Sequence, residues 1–429
     1  MTDSGTAWMG RWRWLSVGVI AALTLGACSS GDSGDSSSSA KKITFWYSSS
    51  AQNKGWEDLA KDFQAKTGIT VELVNIPTDG FQDKLKQAAQ ANSLPDTGDV
   101  PSLDNLWVNQ LQDLSSIANA PANNVNKNLI TVKDGKVLTI PSDVTAAGLF
   151  INKSLFDKAK VSYPTDPSQT WTWDQFLAAA DKVRTATKAK YDLVYDNSPA
   201  RIRAWVYTHG GKGFQLDGDK FAAPDATTVQ ALSDFAKINN DVTMPKSVWT
   251  SGADPNALFK SGQVVAYFSG VWQVADFADG ITNFEWASAP TPAQPVHATD
   301  INLGGKVVAF TNGAKADAAK KWVDFIFQRD NYTKLAQTNG YLPIEKGLTL
   351  TYPFKKQAAL DAFSLYVKEM DLADPISASG QANQTKLLLA GKSVDDGLIK
   401  DEMGKLVNGQ QDAQKTVDNI VAGLNQQIG

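Results

Sequence analysis

The chain has 429 residues, more than one ordinary domain of roughly 100 to 200 residues holds, so two lobes plus an extension are expected. With 41 Lys and Arg against 45 Asp and Glu, its formal net charge is −4, and no basic surplus marks it for nucleic acid. A composition of 42% hydrophobic and 20% charged residues is that of a globular chain and excludes a membrane bundle or a disordered polymer. The single cysteine excludes an intramolecular disulfide and any zinc site built on several thiolates.

Arg11 and Arg13 stand ahead of an apolar run over 14–25, and the small Gly26 and Ala27 then lead to Cys28, the layout of a secretory signal peptide. The run falls short of the about 20 apolar residues that a membrane-spanning helix needs. Trp12 separates the two arginines, which speaks against a twin-arginine signal. The sequence Leu25-Gly26-Ala27-Cys28 resembles the lipobox of bacterial lipoproteins, which implies cleavage after a signal peptide of residues 1–27 and acyl chains on Cys28. Such chains bury about 0.8 kcal/mol per methylene in a bilayer, making the lipid bilayer a partner through Cys28. Residues 28–41, rich in Ser, Gly and Asp, read as a flexible tether to an extracytoplasmic, membrane-anchored body.

From there strands and helices alternate. The apolar stretch 43–47 predicts a strand that ends in the loop Ser48-Ser49-Ser50. Trp56, Leu59, Ala60 and Phe63, at i, i+3, i+4 and i+7, predict a helix closed by Gly68, and Ile69, Val71 and Leu73 alternate as the next strand. This βαβ unit places the loop after Tyr47 at the carboxyl edge of a parallel sheet, where open α/β sheets bind ligands. Phe81, Leu85 and Ala89 mark a further helix. Lys133-Asp134-Gly135-Lys136 predicts a hairpin turn between 130–132 and 137–140. A long strand is expected over 144–152, a capping box at Thr172 to Gln175, and a short helix between Asp254-Pro255 and Gly262. Strands over 264–268, 284–288 and 307–310 follow, and beyond about residue 312 the pattern is helical.

Catalytic motifs are scarce. HExxH, GxSxG and GxGxxG are absent, and neither His209 nor His297 has a partner at ligand spacing, so no metal and no cofactor is expected. A glycosidase needs only two carboxylates and stays open as an alternative. Trp46, Trp107, Trp205, Trp249 and Trp272 fall at predicted strand ends or in loops, where an indole face can stack on a sugar ring while carboxylates and amides take its hydroxyls; core filling is the plainer reading of any one of them.

The order of segments resembles the extracellular solute-binding proteins of bacterial ABC importers, in the carbohydrate-binding family that includes maltose-binding protein. The likeness runs from Ile43 to about Ile428. It rests on Ile43-Thr44-Phe45-Trp46-Tyr47, Leu94-Pro95-Asp96, Ile140-Pro141-Ser142-Asp143, Gly148-Leu149-Phe150-Ile151-Asn152-Lys153, Trp171-Thr172-Trp173, Gly210-Gly211, Phe259-Lys260-Ser261-Gly262, Gly270-Val271-Trp272, Gly304-Gly305 and Asn339-Gly340-Tyr341-Leu342-Pro343. The resemblance implies an α/β, two-lobe, type II periplasmic-binding-protein fold. Each lobe would be a mostly parallel sheet flanked by helices, and a multi-strand hinge would join them. It places lobe I at 42–144 and 288–344, and lobe II at 145–287 and 345–429. The implied ligand residues are Tyr47, Ser49, Asp104, Asn105, Asp143, Ser198, Arg201, Trp272, Gly304, Gly305 and Tyr341. The implied function is capture of a carbohydrate by hinge closure and its delivery to ABC permease subunits, by a monomer and without catalysis. Arg201 and Arg203 near a cleft also suit a phosphate or carboxylate, so a glycerophosphodiester or other anionic solute is the alternative ligand.

Overall fold

The computed structural model describes residues 40–48, 54–78, 80–123, 125–293, 296–311, 313–344 and 348–429. Strands β1 (Lys42–Tyr47), β2 (Thr70–Asn75), β3 (Thr97–Val100), β4 (Thr131–Lys133) and β5 (Lys136–Pro141) come first. Then follow β6 (Val144–Asn152), β7 (Tyr191–Tyr195), the short hairpin of β8 (Leu216–Asp217) and β9 (Lys220–Phe221), β10 (Val264–Gly270), β11 (Trp286–Ala289), β12 (Ile301–Leu303) and β13 (Lys306–Ala309). One sheet has the order β2-β1-β3-β13-β5-β4; the other runs β11-β6-β10-β7, with β12 on the start of β6.

Local chemistry explains the early elements. In β1, Ile43, Phe45 and Tyr47 point inward on alternate residues. The helix Lys54–Thr67 buries Trp56, Leu59, Ala60 and Phe63 against that sheet. Gly68, at φ 74°, then turns the chain while its amide donates to the Gln64 carbonyl at 2.8 Å. β1 and β2 pair in parallel over Lys42 to Tyr47. Asp134 and Gly135 both have positive φ between β4 and β5, which suits the twist of a two-residue hairpin. Thr172 and Gln175 form the reciprocal capping box of the helix Trp173–Thr187.

The sheets are less parallel than expected. Among the described residues, parallel pairing is confined to β1–β2, β1–β3 and β7–β10; β13 runs antiparallel between β3 and β5, and β6 is antiparallel to β10, β11 and β12. Strands that carry the chain between lobes arrive from the opposite end of the sheet, so they cannot match the direction of the βα units beside them.

Each sheet has its own core. Ile43, Phe45, Trp56, Phe63, Trp322 and Leu335 belong to the first lobe's cluster, and Phe150, Trp173, Tyr195, Trp205, Phe268 and Phe277 to the second's. Ile301–Leu303, inside the segment expected in lobe I, pairs with β6 of the second sheet. The helices Gln357–Leu372, Gly397–Val407 and Ala413–Ile428 bury Phe363, Met403 and Ile420 in the second core.

Candidate functional site

The two lobes are joined where β5 passes into β6 through Ser142 and Asp143, and where β12 passes into β13 through Gly304 and Gly305. These crossings hold each other. The Ser142 amide donates to the Gly305 carbonyl at 3.0 Å, the Gly304 amide to the Asp143 carbonyl at 3.1 Å, and the Gly305 amide to Asp143 Oδ1 at 2.8 Å. Leu342 forms an antiparallel bridge to Val144 beside them.

Three buried ionisable groups, Asp99, Asp143 and Lys306, meet at this point. Ser142 Oγ lies 3.1 Å from Asp99 Oδ2 and 3.2 Å from Asp143 Oδ1, so one hydroxyl serves two carboxylates. Asp99 Oδ1 has no partner. Burial, then the charge of Asp143, pushes the Asp99 carboxyl up to about 8, and burial raises Asp143 as well. Lys306 donates to the carbonyls of Pro101 at 2.7 Å and Leu303 at 3.1 Å, and burial pulls its ammonium down to about 8 despite both carboxylates. Thus Asp143, Gly304 and Gly305 do come together, as the lacing of the crossing strands.

Tyr47 and Tyr341 belong to the same neighbourhood of the first lobe. Tyr47 is buried, stacked on Phe45 and against Trp56, and burial followed by the charge of Glu57 pushes its hydroxyl up to about 12. Tyr341 Oη accepts from Trp56 Nε1 at 3.2 Å and Asn339 Nδ2 at 3.1 Å. Ser49, like Cys28 and most of the tether, lies outside the described residues.

A cavity of about 940 Å³ opens between the lobes. The first lobe contributes Thr78, Gln82, Lys86, Ser102, Asp104 and Lys306; the second contributes Asn197, Ser198, Gln381, Gln384 and the turn around Asp396. Asp104 and Ser198 are therefore the sequence-derived candidates that line it. Asp104 also fixes its own turn, with Oδ1 accepting from the Leu106 amide at 2.9 Å and Oδ2 3.9 Å from Lys86 Nζ. Ser198 caps the helix Pro199–Thr208 by accepting from the Arg201 amide at 3.2 Å. Asn105 is half-buried beside Asp104 and outside the lining. Gln82 and Asn197 were missed, although Gln82 sits on the helix that follows β2, at the same sheet edge that singled out Tyr47. Both residues line the cavity, one on either wall, while the amide oxygen of each is buried away from it.

The tryptophan expectation narrows. Trp107, Trp205 and Trp249 are core residues, whereas Trp46 and Trp272 are half-buried. Arg203 is corrected: it donates to Asp300 Oδ1 at 2.9 Å and Asp396 Oδ2 at 2.8 Å, so its charge is spent within the protein. Arg201 is 5% exposed and lies over the Trp272 ring, its Cζ 4.6 Å from the centroid. His209 is packed on Trp173 and Trp205, and burial lowers its pKa.

At the rim, Leu388 is 5% exposed and joins Ile76, Phe81, Leu85 and Trp107 in a first-lobe cluster, while its neighbour Leu387 faces the second core. Truncating such a side chain costs about 2 kcal/mol or more, roughly thirtyfold in an equilibrium. Leu388→Ala is expected to favour the open form, giving the solute-free protein a larger radius of gyration by small-angle scattering than wild type. An identical radius would show that this contact does not hold the lobes.

Two α/β lobes laced by crossing strands around a polar cavity define a type II periplasmic-binding-protein fold. Residues 58–362 match the bacterial extracellular solute-binding protein family, and the chain belongs to it. It is similar to a binding protein of Brucella abortus, at 24% identity over 90% of this chain and 96% of that one. It is also similar to the maltooligosaccharide ABC transporter solute-binding lipoprotein of Streptococcus pneumoniae serotype 4, at 24% identity over 77% of this chain and 79% of the relative. Among solved structures, the ABC substrate-binding protein Lmo0181 from Listeria monocytogenes, in complex with cycloalternan, superposes with a TM-score of 0.72. It is 21% identical, and the match covers 91% of this chain and 99% of that one.

Proposed function

We propose that this protein captures a neutral sugar between its lobes and delivers it, uncleaved, to the membrane subunits of an ABC importer. The observation that carries the reading is the composition of the cavity. Hydroxyls, amides and carboxylates line it from both lobes, Gln82, Ser102 and Asp104 on one wall and Asn197, Ser198 and Gln384 on the other. Neutral donors and acceptors of this kind pair with sugar hydroxyls, each hydrogen bond contributing about 0.5 to 1.5 kcal/mol net. Contacts to both walls are satisfied together only when the lobes are closed, so the solute favours closure by the difference. The named relative from Streptococcus supports the choice of sugar and of importer.

An anionic solute is disfavoured by the charges of the cavity. Five aspartates line the cavity against three lysines, and Arg203 is held by two carboxylates. The lipid on Cys28 and the tether would keep a monomer close to its permease.

A thermal-shift panel of maltotriose, diacetylchitobiose, sn-glycerol 3-phosphate and glycerophosphocholine tests the reading. A sugar at about 100 times its dissociation constant should add about 2.7 kcal/mol of stability and shrink the radius of gyration. A response to the phosphates alone would move the assignment to anions, and cleaved maltotriose would move it to a glycosidase.

A further inference from the structure

Lys306 carries an amine into the interior without an ion pair. It is 3% exposed and borders the cavity. Asp99 and Asp143 act on it through their field alone, with no hydrogen bond to it, so attraction only partly offsets the cost of burying an ammonium. Behind the two carboxylates stand Tyr332 and Tyr341, whose hydroxyls burial keeps protonated. On the cavity side of the first lobe, Lys86 and Asp104 stand 3.9 Å apart.

An ammonium has three protons to give, and two of these are placed. The Lys306 backbone belongs to the first sheet, paired with Val100 of β3 and Pro141 of β5, whereas Leu303 pairs with Val144 of β6 in the second. Donation from Nζ to the Leu303 carbonyl at 3.1 Å therefore closes across Gly304 and Gly305, over which the chain changes lobes. Donation to the Pro101 carbonyl at 2.7 Å pins the start of the segment 101–104, all four residues of which line the cavity. Among the described residues nothing takes the third proton, and both Lys306 and Pro101 border the cavity.

We propose that Lys306 is a positioning and solute-binding residue, which ties the cavity's first-lobe wall to the lobe crossing with two protons and gives the third to an acceptor oxygen of the solute. A hydroxyl or ring oxygen of a neutral sugar satisfies it, and the solute then bears on wall and hinge through one atom. The solute half rests on the sugar-capture reading; the wall half does not. A solute that accepts this proton favours the charged form of Lys306, whose ammonium burial pulls down to about 8 in the free protein. Affinity is then full below about pH 8 and declines as the pH rises above it, and binding in that range takes up protons.

Amide hydrogen exchange without solute tests the wall. The amides of Leu106, Trp107 and Val108 are bonded to Asp104, at the end of the pinned segment. In Lys306→Met they should exchange about tenfold faster, while the helix Trp173–Thr187 in the other core keeps its rate. Lys306→Gln, too short to reach both carbonyls, should show the same and serves if the methionine variant does not fold. Unchanged exchange in the folded variant overturns the wall role. Calorimetric titration with maltotriose and diacetylchitobiose, in buffers of different ionisation enthalpy at intervals between about pH 7 and 9, tests the solute contact. The wild type should take up a fraction of a proton, more at about pH 8.5 than at pH 7, and Lys306→Met should bind about tenfold more weakly and take up none. Asp99→Asn removes the neighbouring acid that titrates in the same range and should still take up the proton. Uptake that persists in Lys306→Met, or vanishes in Asp99→Asn, overturns the solute contact. Faster wall exchange in Lys306→Met, in a protein whose wild type ignores both sugars, supports the wall role and overturns the sugar reading.

Discussion

Gly305→Ala is expected to cost about 3 kcal/mol of stability, at the upper end of overpacking substitutions. A methyl carbon at 305 would fall 2.2 Å from both carboxylate oxygens of Asp99 and 2.4 Å from its Cγ. Neither side can retreat. The residue 305 amide and carbonyl are both engaged across the lobe crossing, to Asp143 Oδ1 and the Ser142 amide. Asp99 lies on β3, between β1 and β13, with Oδ2 against Ser142 Oγ. Moving it would strip a buried carboxyl of its one hydrogen bond, adding a desolvation cost to the steric one. Gly304→Ala meets Asp143 in the same way, at 2.4 Å. Urea denaturation checks the prediction, and a Gly305→Ala midpoint equal to wild type would mean that Asp99 does not lie under that glycine.

The glycine pair was legible in the sequence only as a motif; why it must be glycine was not, because the obstructing carboxylates are on β3 and between β5 and β6. The same division runs through the molecule. Elements specified by neighbours in sequence, such as the helix after β1, the Asp134-Gly135 turn and the Thr172 cap, follow from periodicity and turn chemistry alone. Placements that depend on distant chain do not. β13 inserts between β3 and β5 from more than 160 residues away, and Arg203 finds partners 97 and 193 residues along the chain. Periodicity is blind to such pairings, so two guanidinium groups that looked free are both engaged. It is equally blind to the cavity's far wall, where Gln381, Gln384 and Leu388 come from a C-terminal helix with no ligand signature. Of the five tryptophans marked by position, three are core, as the high average burial of tryptophan anticipates.

The buried charges at the crossing lead to the other large expected effect, a minimum near pH 8 in their contribution to stability. Asp99 holds its proton up to about 8 in the folded chain against 3.8 as its ordinary value, first because of burial and then because of Asp143. Between those values the folded state binds more protons than the unfolded one, so stability falls as pH rises through that window. Asp143 is raised too and acts in the same direction. Lys306 is lowered from 10.5 to about 8, so above pH 8 the unfolded state binds the extra proton and stability recovers as pH rises toward 10.5. Each window has a slope of at most about 1.4 kcal/mol per pH unit per group. Asp99→Asn keeps the shape and removes the titration. The stability of wild type relative to this variant, from urea denaturation at intervals between pH 5 and 10, should decline by several kcal/mol up to about pH 8. Glu369, which burial pushes up to about 7, and Asp192, pushed up to about 6, titrate in both proteins and cancel in that difference. A difference that stays level from pH 5 to 8 would place the Asp99 carboxylate in water and would remove the acid pair from the hinge.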